Sequence, residues 1–170
     1  VLRAAQKLEP CMVPFFSVGI FAGLRPQNEL RRLDWSNVNL EPGGKIKVVR
    51  STAKTDRTRY APISENLRAW LRAVPKAERS GAVFYSRRAF RRVLATARVD
   101  GKGRPVDFTV EAGKIEYEKA SKPRPVAWSA DIMRHTFCTY RQALIQNISQ
   151  LCEEAGNTPS VARAHYLEPR

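Results

Sequence analysis

The chain has 170 residues, with 30 Lys and Arg against 16 Asp and Glu, a formal net charge of +14. That balance points to a polyanionic partner, nucleic acid first, with a generic basic surface, as in a ribosomal or membrane-surface protein, as the alternative. Its length and 43% hydrophobic content suit one domain with a real core; no run approaches the roughly 18 apolar residues of a membrane span, and no signal peptide is visible.

Apolar residues fill Cys11 to Leu24 on every side, with Phe15, Phe16, Val18, Ile20 and Phe21 among them. That is the pattern of a helix buried in the middle of a domain. Gly23 suits its C-terminal end and Pro26 the first turn of a following helix, which places Arg25 at a junction between two helices. From Val38 to Ile63 the period changes. Ile46 and Val48 alternate with Lys45 and Lys47, Pro42-Gly43-Gly44 supplies a turn, and Tyr60 to Ile63 can form a further strand. A small antiparallel sheet of two or three strands is expected, with Lys54 in the loop from Ser51 to Thr58.

Helices then resume. Ser64 is a good N-cap, followed by Leu67, Trp70, Leu71 and Val74 at helical spacing. Ser86 caps another helix that turns Phe90, Val93, Leu94 and Ala97 inward. Its outer face carries Arg87, Arg88, Arg91, Arg92 and Arg98. With so little acidic compensation, phosphate contact is favoured over a merely solvated basic face. The stretch from Val99 to Trp128 is polar and rich in Gly and Pro, an expected surface-loop insertion with a short hairpin at Phe108 to Tyr117. A long helix follows from Ser129, with Met133, Phe137, Tyr140 and Leu144 expected inside. Asn147 to Ala155 forms another, and Thr158-Pro159 starts the last. The whole reads as mainly α with a small antiparallel β-sheet, an α+β fold. Cys11, Cys138 and Cys152 share no metal-ligand spacing and read as reduced core thiols of a cytoplasmic protein.

The residue that organises the chemistry is Tyr166, just beyond the polar turn Gly156-Asn157-Thr158-Pro159. A phenol ordinarily titrates near 10, so about one in a thousand is ionised at neutral pH. It becomes a nucleophile when a base takes its proton or when nearby cations stabilise the phenolate. A phosphodiester under attack also gains charge, which fixed guanidinium groups suit because they bind two oxygens in one plane. Arg25, Lys54 and Arg134 each lie in a segment that looks built to present such a cation.

Four ordered segments carry a family resemblance. FAGLRPQNELRRLDWSNVNL, with Arg25, resembles the first arginine box of the tyrosine recombinases, the phage integrase family. RSTAKTDRTRYAPI resembles the β-hairpin with that family's catalytic lysine, here Lys54. DIMRHTFCTY resembles the second box, with Arg134, and AGNTPSVARAHY the last, with Tyr166 nine positions after Asn157. The resemblance spans essentially all of the chain as a catalytic domain with the DNA breaking-rejoining enzyme fold.

It implies a site-specific recombinase in which Tyr166 attacks one strand of double-stranded DNA, forms a 3′-phosphotyrosyl link and releases a 5′-hydroxyl. It implies no metal or nucleotide cofactor, because the phosphotyrosyl bond conserves the bond energy. It implies a homo-tetramer on DNA for the full-length protein, with the isolated domain a monomer or weak dimer, and a bacterial or phage-derived, nucleoid-associated location. An N-terminal DNA-clamping domain normally precedes such a domain, so the chain is expected to be part of something longer. Two departures stand out. Asp131 occupies the position, three before Arg134, where the family has histidine; Asn157 occupies a position usually held by histidine or tryptophan. Asn157 can still donate a hydrogen bond to phosphate. Asp131 reads either as a functional acid, accepting the tyrosine proton or orienting Arg134, or as an acid stabilising a helix start and pairing with Arg134. His135 reads as structural, and His165 would face about 100° away from Tyr166 on a helix. Glu29, one residue later than the family's usual glutamate, is expected to support Arg25. A DNA-binding relative that does not cut, and a type IB topoisomerase that relaxes DNA without partner exchange, are the alternatives.

Overall fold

A computed structural model describes residues 1–49, 58–118 and 123–164. Lys54, His165 and Tyr166 lie outside the described residues. In chain order the elements are α1 (Leu2–Leu8), α2 (Val13–Ala22), β1 (Lys45–Val48), β2 (Arg59–Pro62), α3 (Glu65–Arg72) and α4 (Arg87–Thr96). Then come the short strands β3 (Arg98–Val99), β4 (Pro105–Val106), β5 (Phe108–Glu111), β6 (Lys114–Tyr117) and β7 (Arg124–Pro125). Helices α5 (Ile132–Ile145), α6 (Ile148–Ala155) and α7 (Pro159–Ala162) follow. The architecture is mainly α with small antiparallel β-sheets.

Contacts divide these elements into two compact units. One joins Val1–Val13 to Tyr85–Ser129; the other joins Pro14–Phe84 to the chain from Ala130 onward. In the first unit, Ser86 caps α4 by accepting from the Ala89 amide at 3.3 Å, and the helix buries Ala89, Val93 and Thr96. The stretch expected to be an open loop holds more sheet than its composition suggests. β3 is the centre strand between β4 and β7, and β5 pairs with β6 from Phe108↔Tyr117 to Glu111↔Lys114. Two-residue strands need only a few backbone partners, which Gly- and Pro-rich sequence does not advertise.

The second unit is built around α2, whose residues from Val13 to Gly19 are all buried. The sheet is a hairpin in which Ile46 and Val48 pair across from Ala61 and Arg59 with the register Val48↔Arg59. Val38 adds one bridge to Ile46. Ser64 caps α3 as expected, accepting from the Leu67 amide at 3.2 Å. Arg68 on α3 is buried and braces the loop before β1, donating to the carbonyls of Leu40, at 2.8 Å, and Glu41.

Three expectations need correction. Cys138 and Cys152 are buried as expected, but Cys11 is exposed and is no core thiol. Pro26 does not begin a second α-helix: residues 26–29 form turns, followed by one 3-10 turn at Leu30–Arg32. The Glu29 and Leu30 amides both bond to the Arg25 carbonyl at 3.0 Å, closing a single wide turn instead of starting an i→i−4 ladder. On α5, Met133 and Phe137 are buried, but Tyr140 is 74% and Leu144 76% exposed. The apolar stripe keeps its helical spacing, yet no described residue covers its second half. Tyr140 and Leu144 instead border an open apolar groove with Phe21 and Ile63.

Close packing of α2 on α5 is set by glycine. A Cβ at Gly19 would sit 2.5 Å from Met133 Sδ, and one at Gly23 would sit 2.2 Å from Phe137 Cδ1. Gly23 also has φ +64, the left-handed conformation that ends α2 without a Cβ penalty. Gly23→Ala is therefore expected to lose about 2–4 kcal/mol through strain and overpacking, read as a lower denaturant midpoint at unchanged slope. An unaltered midpoint would contradict this packing.

Candidate functional site

Helix α6 runs out at Ala155, and Gly156 follows it in the left-handed conformation at φ +66. Carbonyls at a helix C-terminus lack intrahelical donors and sit at the negative end of the macrodipole. Here three in succession are met by three different arginines. Arg59 Nη1 donates to Glu154 O at 2.6 Å, Arg134 Nη2 to Ala155 O at 2.6 Å, and Arg25 Nη2 to Gly156 O at 2.5 Å. The arginines come from β2, from α5 and from the exit of α2, so one helix end gathers three separate elements.

The same atoms bind each other through two shared acceptors. Asn157 Oδ1 accepts from Arg134 Nη2 at 2.6 Å and from Arg25 Nη2 at 3.3 Å. Glu29 bridges the other pair: Oε1 accepts from Arg25 Nη1 at 2.7 Å, and Oε2 from Arg59 Nη2 at 2.5 Å and from the Arg25 amide at 2.8 Å. The Glu29 side chain is fully buried. Arg134 completes its anchorage by donating Nη1 to Gly23 O at 2.7 Å, across the close α2–α5 contact. Arg134 and Arg59 are 4% and 8% exposed, whereas the Arg25 side chain keeps 17%. Arg25 is thus the outermost cation. Burial pushes the Arg59 guanidinium down to about 10, a shift that Glu29 opposes and that Arg134 and Arg25 add to, so it remains charged at neutral pH.

The structure therefore brings Arg25, Arg134 and Asn157 together, with Glu29 in the supporting position expected of it. Asp131 stands apart. It is exposed at the N-cap of α5 and makes no side-chain capping bond. Its expected pairing with Arg134 is not formed, because the Arg134 guanidinium turns to Gly23, Ala155 and Asn157. His135 is half-buried. Among the described residues no group of His, Cys, Asp and Glu could hold a metal. Among the described residues no helix is long and apolar enough to cross a membrane.

Arg59 escaped sequence reasoning. Its signal was available: on β2 the inward positions are Arg59 and Ala61 while Tyr60 points out, so the alternation places a cation on the buried face. An open groove beside the cluster is lined by Lys45, Arg59, Tyr60, Glu153, Asn157 and Thr158. In the other unit, Arg87, Arg88 and Arg91 are exposed with no ion pair among the described residues, while Arg92 bonds Glu9 at 3.0 Å. Arg98 is not part of that face. The helix ends at Thr96, and Arg98 folds back onto the Ala95 and Ala97 carbonyls.

No family model matches the sequence, and no curated protein matches it. Solved structures do match in shape. The Tn1549 transposon integrase in complex with transposon right end DNA superposes with a TM-score of 0.64 at 19% identity, covering 99% of this chain and 58% of that one. XerA recombinase gives 0.60 at 16%, covering 99% and 57%. The catalytic domain of bacteriophage HP1 integrase gives 0.55 at 21%, covering 96% and 83%. The chain thus has the fold of integrase and recombinase catalytic domains, and spans little more than half the length of the first two.

Two side chains steady the helix end itself. Arg141 on α5 forks onto Glu154 at 2.7 and 2.6 Å, and Gln150 adds a bond at 2.9 Å. Burial pushes the Glu154 carboxyl up, but the hydrogen bonds from Arg141 and Gln150 outweigh it and hold it below the ordinary range. A carboxyl depressed by folding stabilises the fold above its unfolded pKa and loses that contribution as pH falls through the folded one. Glu154→Gln is expected to lower stability by about 1–2 kcal/mol at pH 7, with the gap from wild type closing below about pH 4. A gap independent of pH, followed by denaturant unfolding, would refute an ionic role.

Proposed function

We propose that this chain is the catalytic domain of a site-specific DNA recombinase or integrase, cutting and rejoining DNA through a 3′-phosphotyrosyl intermediate. The observation that carries the reading is the convergence of Arg25, Arg134 and Asn157 on one helix end, within a fold shared with integrase and recombinase catalytic domains. Among the described residues, Arg25 and Arg134 each commit three of their five N–H donors to the protein. Two on each are left for the oxygens of a phosphodiester.

In the proposed step the Tyr166 phenol oxygen attacks phosphorus, and the bond from phosphorus to the 5′ oxygen breaks. The leaving oxygen takes a proton from Lys54, and the tyrosine proton passes to a base, with Asp131, three residues before Arg134, as the candidate. Arg25 and Arg134 stabilise the charge that accumulates on the non-bridging oxygens. Asn157 keeps its oxygen turned to the arginines, so its amide nitrogen is the group that would meet a phosphate oxygen. A 5′-hydroxyl, from the same or another duplex, reverses the step, and no metal or nucleotide is required to balance it. Exchange between duplexes would use a homo-tetramer of the full-length protein. Arg87, Arg88, Arg91 and Arg92 supply sequence-independent phosphate contacts on double-stranded DNA.

The test is a pool of random-sequence duplexes nicked at random positions, so that where a nick falls beside the cut phosphodiester the released fragment diffuses away. Wild type should accumulate a denaturant-resistant adduct, Tyr166→Phe none, and Arg25→Ala or Arg134→Ala at least about 100-fold less per unit time. Duplex binding with no adduct would support a DNA-binding protein that does not cut. Relaxation of supercoils by isolated monomer would support a topoisomerase instead. Replacing Arg87, Arg88 and Arg91 with Ala should lower the salt slope of DNA binding by about three, near one per lost phosphate contact. An unchanged slope would remove α4 from the interface.

A further inference from the structure

Arg59 has no place in the chemistry above, yet it is buried almost as deeply as Arg134. It is 8% exposed, gives Nη1 to Glu154 O and Nη2 to Glu29, and leaves Nε buried without a partner among the described residues. A guanidinium buried at that cost needs a reason beyond packing. Glu29 supplies one. Its carboxylate orients Arg25 through both the guanidinium and the backbone amide, and a fully buried carboxylate beside Arg25 alone would cancel the charge it positions.

We propose that Arg59 is the counter-charge of Glu29, a positioning residue that lets Glu29 aim Arg25 while leaving the charges of Arg25 and Arg134 available to a phosphate. The geometry divides the work. Glu29 Oε1 faces Arg25 and Oε2 faces Arg59, so each guanidinium takes one oxygen. With Arg59 present, the described side chains of the cluster, three arginines and one carboxylate, sum to two positive charges; without it they sum to one. Gly156 keeps this arrangement compact, because a Cβ there would sit 2.6 Å from Arg59 Nε. Arg59 is less exposed than Arg25 and spends both Nη groups on Glu154 O and Glu29, so Arg59 acts through Glu29 and not by touching DNA. The inference rests on the proposed reading only in taking phosphate as the anion met by Arg25; it does not need strand cleavage.

The experiment is titration of the protein with inorganic phosphate, followed by the side-chain Nε–Hε resonance of Arg25, with melting temperature as a control on folding. Wild type should give a saturable shift. Arg59→Met should weaken phosphate binding at least about five-fold, since one unit of charge is lost from a partly desolvated site. The double substitution Glu29→Gln with Arg59→Met restores two positive charges and should return the affinity to within about two-fold of wild type. A purely structural Arg59, bridging β2 to the end of α6, cannot be rescued by changing Glu29.

Wild-type affinity in a folded Arg59→Met would overturn the proposal. So would a double variant that binds as weakly as Arg59→Met or fails to fold. If Arg59→Met itself unfolds, the double variant decides alone: folded with wild-type affinity supports the counter-charge role, anything less refutes it. Phosphate binding at Arg25 without any tyrosine adduct would sink the cleavage reading and leave this inference standing. No phosphate response at Arg25 in wild type would sink both.

Discussion

The cluster depends on the unfilled carbonyls at one end of α6. A helix C-terminus always leaves acceptors without donors, and cations stabilise it electrostatically. Most helices meet that need with water or a local cap. Here Glu154, Ala155 and Gly156 each receive a different arginine, from three elements far apart in sequence. The helix end is thereby satisfied, and β2, α5 and the exit of α2 are fixed relative to it. Two glycines permit this. Gly23 lets α5 approach closely enough for Arg134 to reach its carbonyl, and Gly156 turns the chain so that the Asn157 oxygen faces back toward the arginines.

Gathering like charges in a buried place is unfavourable by itself, and that cost argues for function. Residues selected for stability alone would fill this volume with apolar side chains. The cluster instead holds three guanidinium groups with one carboxylate and one amide oxygen between them, an arrangement short of acceptors by design. A site with more donors than the protein consumes is prepared for an external anion. Preorganised donors of that kind act on a phosphodiester without rearranging at the moment of reaction.

Much of this was legible in the sequence. Buried helix α2 followed from apolar residues on every side and the caps at Ser64 and Ser86 from their serines, and the β5–β6 hairpin lies at Phe108 to Tyr117 as expected. Arg25, Arg134, Asn157 and Glu29 were marked by ordered segments and do meet in space. Arg59 was passed over, although the alternation of β2 places it on the inner face. Other features could not be read because they depend on tertiary placement. Asp131 sits beside Arg134 in helical spacing, but the stronger acceptors at Gly23, Ala155 and Asn157 draw the guanidinium away. Tyr140 and Leu144 share the spacing of buried residues, yet no described element lies over them. Periodicity tells which face of a helix is apolar; it does not tell what covers that face.

The central claim is that the end of α6 holds a phosphate site between Arg25 and Arg134. Tungstate, a heavy tetrahedral oxyanion, tests it without any knowledge of the DNA sequence. Crystals of the protein soaked in tungstate should give an anomalous peak with oxygens about 3 Å from both guanidinium groups. Tungstate bound only elsewhere, or at no ordered site, would contradict the account.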